Sequence, residues 1–327
     1  MDDSRENLPD EIHRNVRDYA PTKRARVKNL VFGFSQAKAF WVATVLGLGI
    51  VAAQATASGK DQPASGYLDV GGSKIYYEAR GAGAPVVLLH DGLLHSVTWD
   101  EVWEPLATGH RVIRYDRRGY GRSEPASASF SPMEDLAKLL RYLKVEHALV
   151  AGSSSGGALA IDFAIAHPEF VDGLLLIGPV LHGMEFSPEF GERAKRNNEP
   201  MERGDVKGWA TNWSQDRFLI AGSNDSARRK VYQQLVTNAE KLKNYDAAFE
   251  EKLSPPARDR LDEIKAPTMI LVGETDIADV QAHCRAINAA IRESTLTVVK
   301  EAGHLIQLEK PDVVETQVEA FLTGRRK

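Results

Sequence analysis

The sequence predicts an α/β fold: a mostly parallel sheet of eight strands with helices on both faces and a helical insertion late in the chain. Three observations predict it. Short apolar runs recur from about residue 67 onward, and such runs suit strands buried on both faces. Stretches of helical pattern lie between successive runs, as crossovers between parallel neighbours require. The length of 327 residues, with 43% hydrophobic and 26% charged, allows one large core and excludes a disordered tail protein, a collagen-like repeat and a polytopic membrane protein.

Tyr67 to Ala79 alternates in character around Gly71-Gly72, which reads as an opening hairpin. The next runs are PVVLLH (85–90), RVIRYD (111–116), HALVAGS (147–153), VDGLLLIG (171–178), TMILVGETD (268–276) and STLTVVKEAGH (294–304). Helical candidates fall near 96–107, 131–144, 155–167, 278–292 and 311–323, the last opened by Pro311 at a favoured helix start. One gap breaks the rhythm. Residues 179–267 separate two successive runs, where an ordinary βαβ step takes roughly 30 residues. Residues 182–255 therefore read as an inserted subdomain of several short helices, with Met184, Phe186, Phe190, Met201, Trp209, Trp213 and Phe218 scattered among polar residues. The core is expected at 67–181 and 256–327.

With 41 basic against 45 acidic side chains the net charge is -4, so no broad cationic field is available to hold nucleic acid. The single cysteine, Cys284, excludes an intrachain disulfide framework and a multi-cysteine zinc site. Residues 1–57 read as a leader. Basic residues at Lys23, Arg24, Arg26, Lys28 and Lys38 precede an uncharged stretch from Ala39 to Ala53, and Ala55-Thr56-Ala57 comes after it. That order fits a signal peptide with export, or an anchor in contact with the membrane; a cytoplasmic protein with an apolar leader is the alternative. Residues 58–66 read as a linker.

The chemistry starts at Gly152-Ser153-Ser154-Ser155-Gly156. This is a G-x-S-x-G directly after an apolar run and before a helical stretch, where glycines permit a tight turn that exposes the middle residue. Ser154 is the candidate nucleophile, and Ser153 and Ser155 have the wrong register. A serine hydroxyl needs a base, oriented by a third group. His304, which closes the last run, is the candidate base; Asp276, at the end of TMILVGETD, is the candidate orienting acid, with Glu274 and Asp279 as rivals. An oxyanion needs two donors: the N–H of Ser155, and that of Gly92 or else Leu93 in the turn HDGLLH. Leu93, Trp209 and Trp213 are candidates for the substrate pocket under the insertion. No metal and no cofactor are expected.

Together, VAGSSSGGALA, YDRRGYGRS (115–123), LVGETD and AGHLIQLEKP resemble the α/β-hydrolase family over residues 67–325. The resemblance implies a catalytic triad of Ser154, Asp276 and His304, a helical cap at 182–255, and a structural role for Asp116 in bonding its own turn. One position departs from the family: Asp91 stands where glycine usually follows the strand-three histidine. Its carboxylate either faces the site or holds the turn through Asx-type bonds, and the second orientation is expected. Family members that open epoxides or displace halide carry Asp at the nucleophile position, whereas this chain has Ser. The resemblance thus implies a serine hydrolase using water on a small or medium uncharged acyl substrate, an ester or lactone. A carbon-carbon bond hydrolase, a perhydrolase or a noncatalytic ligand-binding protein of the same fold is the alternative.

Overall fold

A computed structural model describes residues 64–222 and 224–324; the leader expected at 1–57 lies outside the described residues. The strands are β1 (Ala64–Asp69), β2 (Lys74–Arg80), β3 (Pro85–Leu89), β4 (Arg111–Tyr115), β5 (Ala148–Ser153), β6 (Val171–Ile177), β7 (Thr268–Gly273) and β8 (Ser294–Val299). They form one sheet in the order β1-β2-β4-β3-β5-β6-β7-β8, in which β2 is antiparallel to both neighbours and every other pairing is parallel. The helices of the core are α1 (Asp100–Leu106), α2 (Pro132–Tyr142) and α3 (Ser155–Ala166). Next come the inserted α4 (Pro188–Glu202), α5 (Val206–Gln215) and α6 (Asp225–Lys243), then α7 (Ala278–Ala290), α8 (Ile306–Glu309) and α9 (Pro311–Gly324).

The two-residue period of the strands divides each apolar run between two cores. Val86 and Leu88 join Val112, Leu149, Leu175 and Leu271 under α1 and α9, whereas Val87 and Leu89 join Ile113, Val150, Leu174 and Ile270 under α2, α3 and α7. Both faces are thus covered, which is why the runs are continuous rather than alternating. Among the described residues no helix is long and apolar enough to cross a membrane.

Three sequence expectations need correction. The linker does not extend to residue 66, because Ala64, Ser65 and Gly66 already pair with Ala79, Glu78 and Tyr77. These small residues carry little strand propensity; the ladder to β2 supplies the order, and Gly66 leaves room for the Tyr77 ring. The last two strands are shorter than their sequence runs. Residues 274–276 and 300–304 leave the sheet as loops, and those loops carry Asp276 and His304. The insertion is also less fragmented than expected, since α6 alone spans 19 residues. Its Asn224 side chain caps the helix start, and Val231, Leu235 and Ala239 recur on one face to pack against α5.

Candidate active site

The turn between β5 and α3 is built on close approach. A Cβ on Gly152 would lie 2.3 Å from the Gly156 carbonyl oxygen, and one on Gly156 would lie 2.4 Å from that of Leu89. With both side chains absent, the chain reverses in a single residue, Ser154, whose φ of 53° and ψ of -118° lie in a region that costs a side-chain-bearing residue energy. Surrounding bonds hold it there: Ser154 N–H donates to Ile177 O (2.9 Å), and Val180 N–H donates to Ser154 O (3.1 Å). The three serines face different ways. Ser153 is buried with its hydroxyl on Gln307 Oε1 (3.3 Å), Ser155 Oγ accepts from Arg117 Nη2 (2.9 Å), and Ser154 is part-exposed at the apex.

The loop after β8 brings His304 against Gly178, next to the Ile177 that holds Ser154. The His304 N–H donates to Phe218 O (2.8 Å), its ring packs on the Phe218 ring at 4.6 Å, and Nδ1 bonds Asp276 Oδ2 at 2.9 Å. Asp276 Oδ1 is fixed by Ile277 N–H at 2.8 Å. The rivals for the acid are engaged elsewhere, since Glu274 accepts from Glu301 N–H and Asp279 accepts from both Ser187 N–H and its hydroxyl. Gly178 ties the two halves together. It follows Ile177, whose carbonyl anchors Ser154, and a Cβ on it would fall 2.9 Å from His304 Nδ1 and 3.1 Å from Asp276 Oδ2. Burial alone would pull the His304 pKa down; the charge of Asp276, its hydrogen bond and the charge of Asp91 outweigh that, and the pKa is raised above 6.5. Cys284 offers no rival nucleophile, because burial pushes its thiol pKa up and keeps it protonated.

Across the site, the β3 loop brings Gly92 against the elbow: a Cβ there would lie 3.1 Å from Ser155 Oγ. Asp91 turns its carboxylate into its own loop, where Oδ1 accepts from Leu93 N–H (2.8 Å) and Leu94 N–H (2.9 Å). This is the Asx-type arrangement, and it carries a prediction. Asp91→Gly removes the staple from a turn already containing glycine, so kcat is expected to fall with KM little changed. The loss should not exceed the ~10²- to 10³-fold that a missing oxyanion donor costs. A rise in kcat would mean that the carboxylate repels the oxyanion instead. Asp116, fully buried, accepts from Ser96 N–H (2.9 Å) and Arg122 N–H (2.8 Å) and so ties down the loop after β4.

Trp209 and Trp213 are buried on α5, with both indole N–H groups on Asn198 Oδ1 (3.0 and 2.8 Å). The aromatic that reaches His304 is Phe218, backed by Phe190 at 6.0 Å and Phe186 beyond it at 4.5 Å from Phe190. Leu93 packs half-buried against the same apolar cluster, which also takes in Leu94, Leu305 and Leu308 from the core. Sequence reasoning leaves two participants unassigned. Phe218 stands out in the sequence only as one of several scattered aromatics, and Arg117 is one of two adjacent arginines with nothing local to separate them.

Known proteins resemble this chain in sequence and fold. A family model described as alpha/beta hydrolase fold matches residues 85–311. YraK, an uncharacterized hydrolase of Bacillus subtilis strain 168, is 34% identical over 145 residues, which are 41% of this chain and 54% of that protein, so the match spans about half of the relative's length. The structure of Est816, described as an N-acyl homoserine lactone degrading enzyme, has a TM-score of 0.63 at 26% identity over 78% of this chain and 100% of its own. A thermophilic esterase from Thermogutta terrifontis has a TM-score of 0.68 at 25% identity over 81% of this chain and 99% of its own. With its mostly parallel eight-stranded sheet and its family match across 85–311, the chain belongs to the α/β-hydrolase fold family.

Proposed function

We propose that this protein is a serine hydrolase that cleaves a carboxylic ester or lactone of a small or medium, uncharged acyl compound. The observation that carries the reading is the buried His304–Asp276 bond packed against Gly178, the residue after the Ile177 whose carbonyl holds the Ser154 turn. With Nδ1–H given to Asp276, Nε2 is the basic nitrogen, and it takes the Ser154 proton as Oγ attacks the carbonyl carbon. The N–H groups of Gly92 and Ser155 meet the oxyanion. His304 then passes its proton to the leaving alcohol, and water, activated by the same imidazole, releases the acid from Ser154. Esterase and lactone-degrading activities among the structural neighbours support ester-bond chemistry. The inserted helices act as a cap, resting on Leu93, Leu94, Leu305 and Leu308, with Phe218 and Leu93 toward the acyl group.

A fluorophosphonate probe tests the reading: it is expected to label the wild-type protein at Ser154 and to leave Ser154→Ala unlabelled. A panel of p-nitrophenyl esters, lactones and a vinylogous diketone then sorts the bond. Turnover of the diketone with none of the esters would move the assignment to carbon-carbon cleavage.

The pH dependence has a definite sign. Catalysis needs neutral His304, so kcat/KM rises with pH through the pKa of the free enzyme's histidine. Because that pKa is raised, the midpoint is expected above the ordinary value of 6.5. Asp276→Asn should lower it. A midpoint below 6.5 for the wild type, with chemistry limiting, would count against His304 as the base.

A further inference from the structure

Gly92 has no side chain to fix its peptide plane, yet the proposed acyl-serine mechanism, on which this inference rests, asks its N–H to point at one place. The plane belongs to the Asp91–Gly92 peptide, in which C=O and N–H are antiparallel across one rigid unit. Whatever holds Asp91 O therefore aims Gly92 N–H. Two donors hold it: His90 Nδ1 at 2.7 Å and Arg117 Nη2 at 2.9 Å. Burial, then the nearby Arg117 charge, drives the His90 pKa well down and keeps the ring neutral, with Nδ1–H the donor and Nε2 free to accept. Its other nitrogen, Nε2, accepts from Arg117 N–H at 3.0 Å. The next carbonyl, Gly92 O, takes the Tyr120 hydroxyl at 3.3 Å, and the Arg117 guanidinium lies over the Tyr120 ring at 4.8 Å.

The same Nη2 also donates to Ser155 Oγ at 2.9 Å. One buried guanidinium arm thus joins the two segments that carry the two oxyanion donors, one from the β3 loop and one from the elbow. We propose that Arg117 is a positioning residue of the oxyanion hole: it sets the orientation of Gly92 N–H and its spacing from Ser155 N–H. A cationic donor on the Asp91 carbonyl also draws electron density through the peptide, which makes Gly92 N–H a stronger donor. Burying a guanidinium is unfavourable, and Arg117 is buried, with Nε unpartnered among the described residues. The Arg117 side chain adjoins a cavity of about 40 Å³ lined also by Ser155, Leu159 and Met133. That space makes the inference testable by chemical rescue, since truncating Arg117 would open it to a free guanidinium ion.

The experiment compares wild type, Arg117→Ala, Arg117→Lys and Ser154→Ala on a p-nitrophenyl ester. Melting curves and binding of a boronic acid, a mimic of the tetrahedral adduct, are measured alongside. Arg117→Ala is expected to lose ~10- to 100-fold in kcat, a fraction of what deleting a donor costs, with KM within about twofold. Boronic acid affinity should fall by the same factor, and added guanidinium should recover part of kcat in Arg117→Ala but none in Arg117→Lys. If Arg117→Ala does not fold, Arg117→Lys carries the test, since a lysine ammonium ends one bond short of the Nη2 position and so does not reach Asp91 O and Ser155 Oγ together; parallel losses in kcat and boronate affinity are expected there too. Wild-type kcat in a folded Arg117 variant, or a loss confined to KM, overturns the inference. Retained turnover in Ser154→Ala would instead overturn the acyl-serine mechanism.

Discussion

Ser154→Ala, His304→Ala and Asp276→Asn are each expected to fold and to lose ester turnover, with losses that do not add. Ser154 and His304 act in one step, so either change alone should remove most of the ~10⁶-fold that such a unit supplies, and the double variant should be no worse than the singles. Asp276→Asn has a separate reason to fail. In the folded protein His304 Nδ1 meets Asp276 Oδ2 at 2.9 Å. An amide nitrogen at that position donates to Nδ1, forces the proton onto Nε2, and leaves no base facing Ser154. A loss of ~10⁴-fold is expected from the wrong tautomer. Steady-state kinetics on one p-nitrophenyl ester, normalised to folded protein, reads all three. Multiplicative losses would mean that the residues act in separate steps, and near wild-type turnover in Ser154→Ala would remove the mechanism.

Part of this site is open to sequence reading because its geometry is local. The residues that force the turn, Gly152 and Gly156, flank the residue they expose within five positions, and the apolar run before and helical pattern after give the strand and helix directly. The two-sided cores are legible for the same reason, since burial on both faces leaves a continuous run such as Val86–Leu89. Choosing Asp276 over Glu274 and Asp279 is a different matter. All three lie close together after β7, and what separates them is a backbone direction that engages Asp279 with Ser187 and Glu274 with Glu301. Arg117 is beyond the reach of sequence. Arg118 takes the ion pair with Asp135, while Arg117 turns inward to groups 26 and 38 positions away. Nothing in the Arg-Arg pair itself tells one from the other. Trp209 and Trp213 are hard to place for a related reason: aromatic residues on a polar insertion are equally at home under a cap or inside it, and here both are buried with their indole N–H groups on Asn198.

Two glycine-to-alanine changes are expected to move stability in opposite directions, and the contrast tests the close-packed elbow. Gly152 lies within β5, paired with Leu89 on one side and Leu176 on the other. A methyl group there would meet three backbone atoms of the α3 start: Gly156 O at 2.3 Å, Gly156 C at 2.6 Å and Gly157 N at 2.8 Å. Backbone cannot rotate aside as a side chain can, so the strand and helix must separate, and about 3 kcal/mol of stability should be lost. At ~2–4 °C per kcal/mol for a domain of this size, the melting temperature should fall by roughly 6–12 °C. Activity should fall further still, because the separation moves Ser154 away from Ile177 and Gly178. Gly191 is exposed within α4 with nothing inside 4 Å of an added Cβ, and there alanine should stabilise by about 0.5–1 kcal/mol through helix propensity alone. Thermal melts of the two variants beside the wild type decide it. An unchanged melting temperature for Gly152→Ala would show that the contacts at the elbow relax without cost, and the strain on Ser154 would then need another source than the packing of β5 against α3.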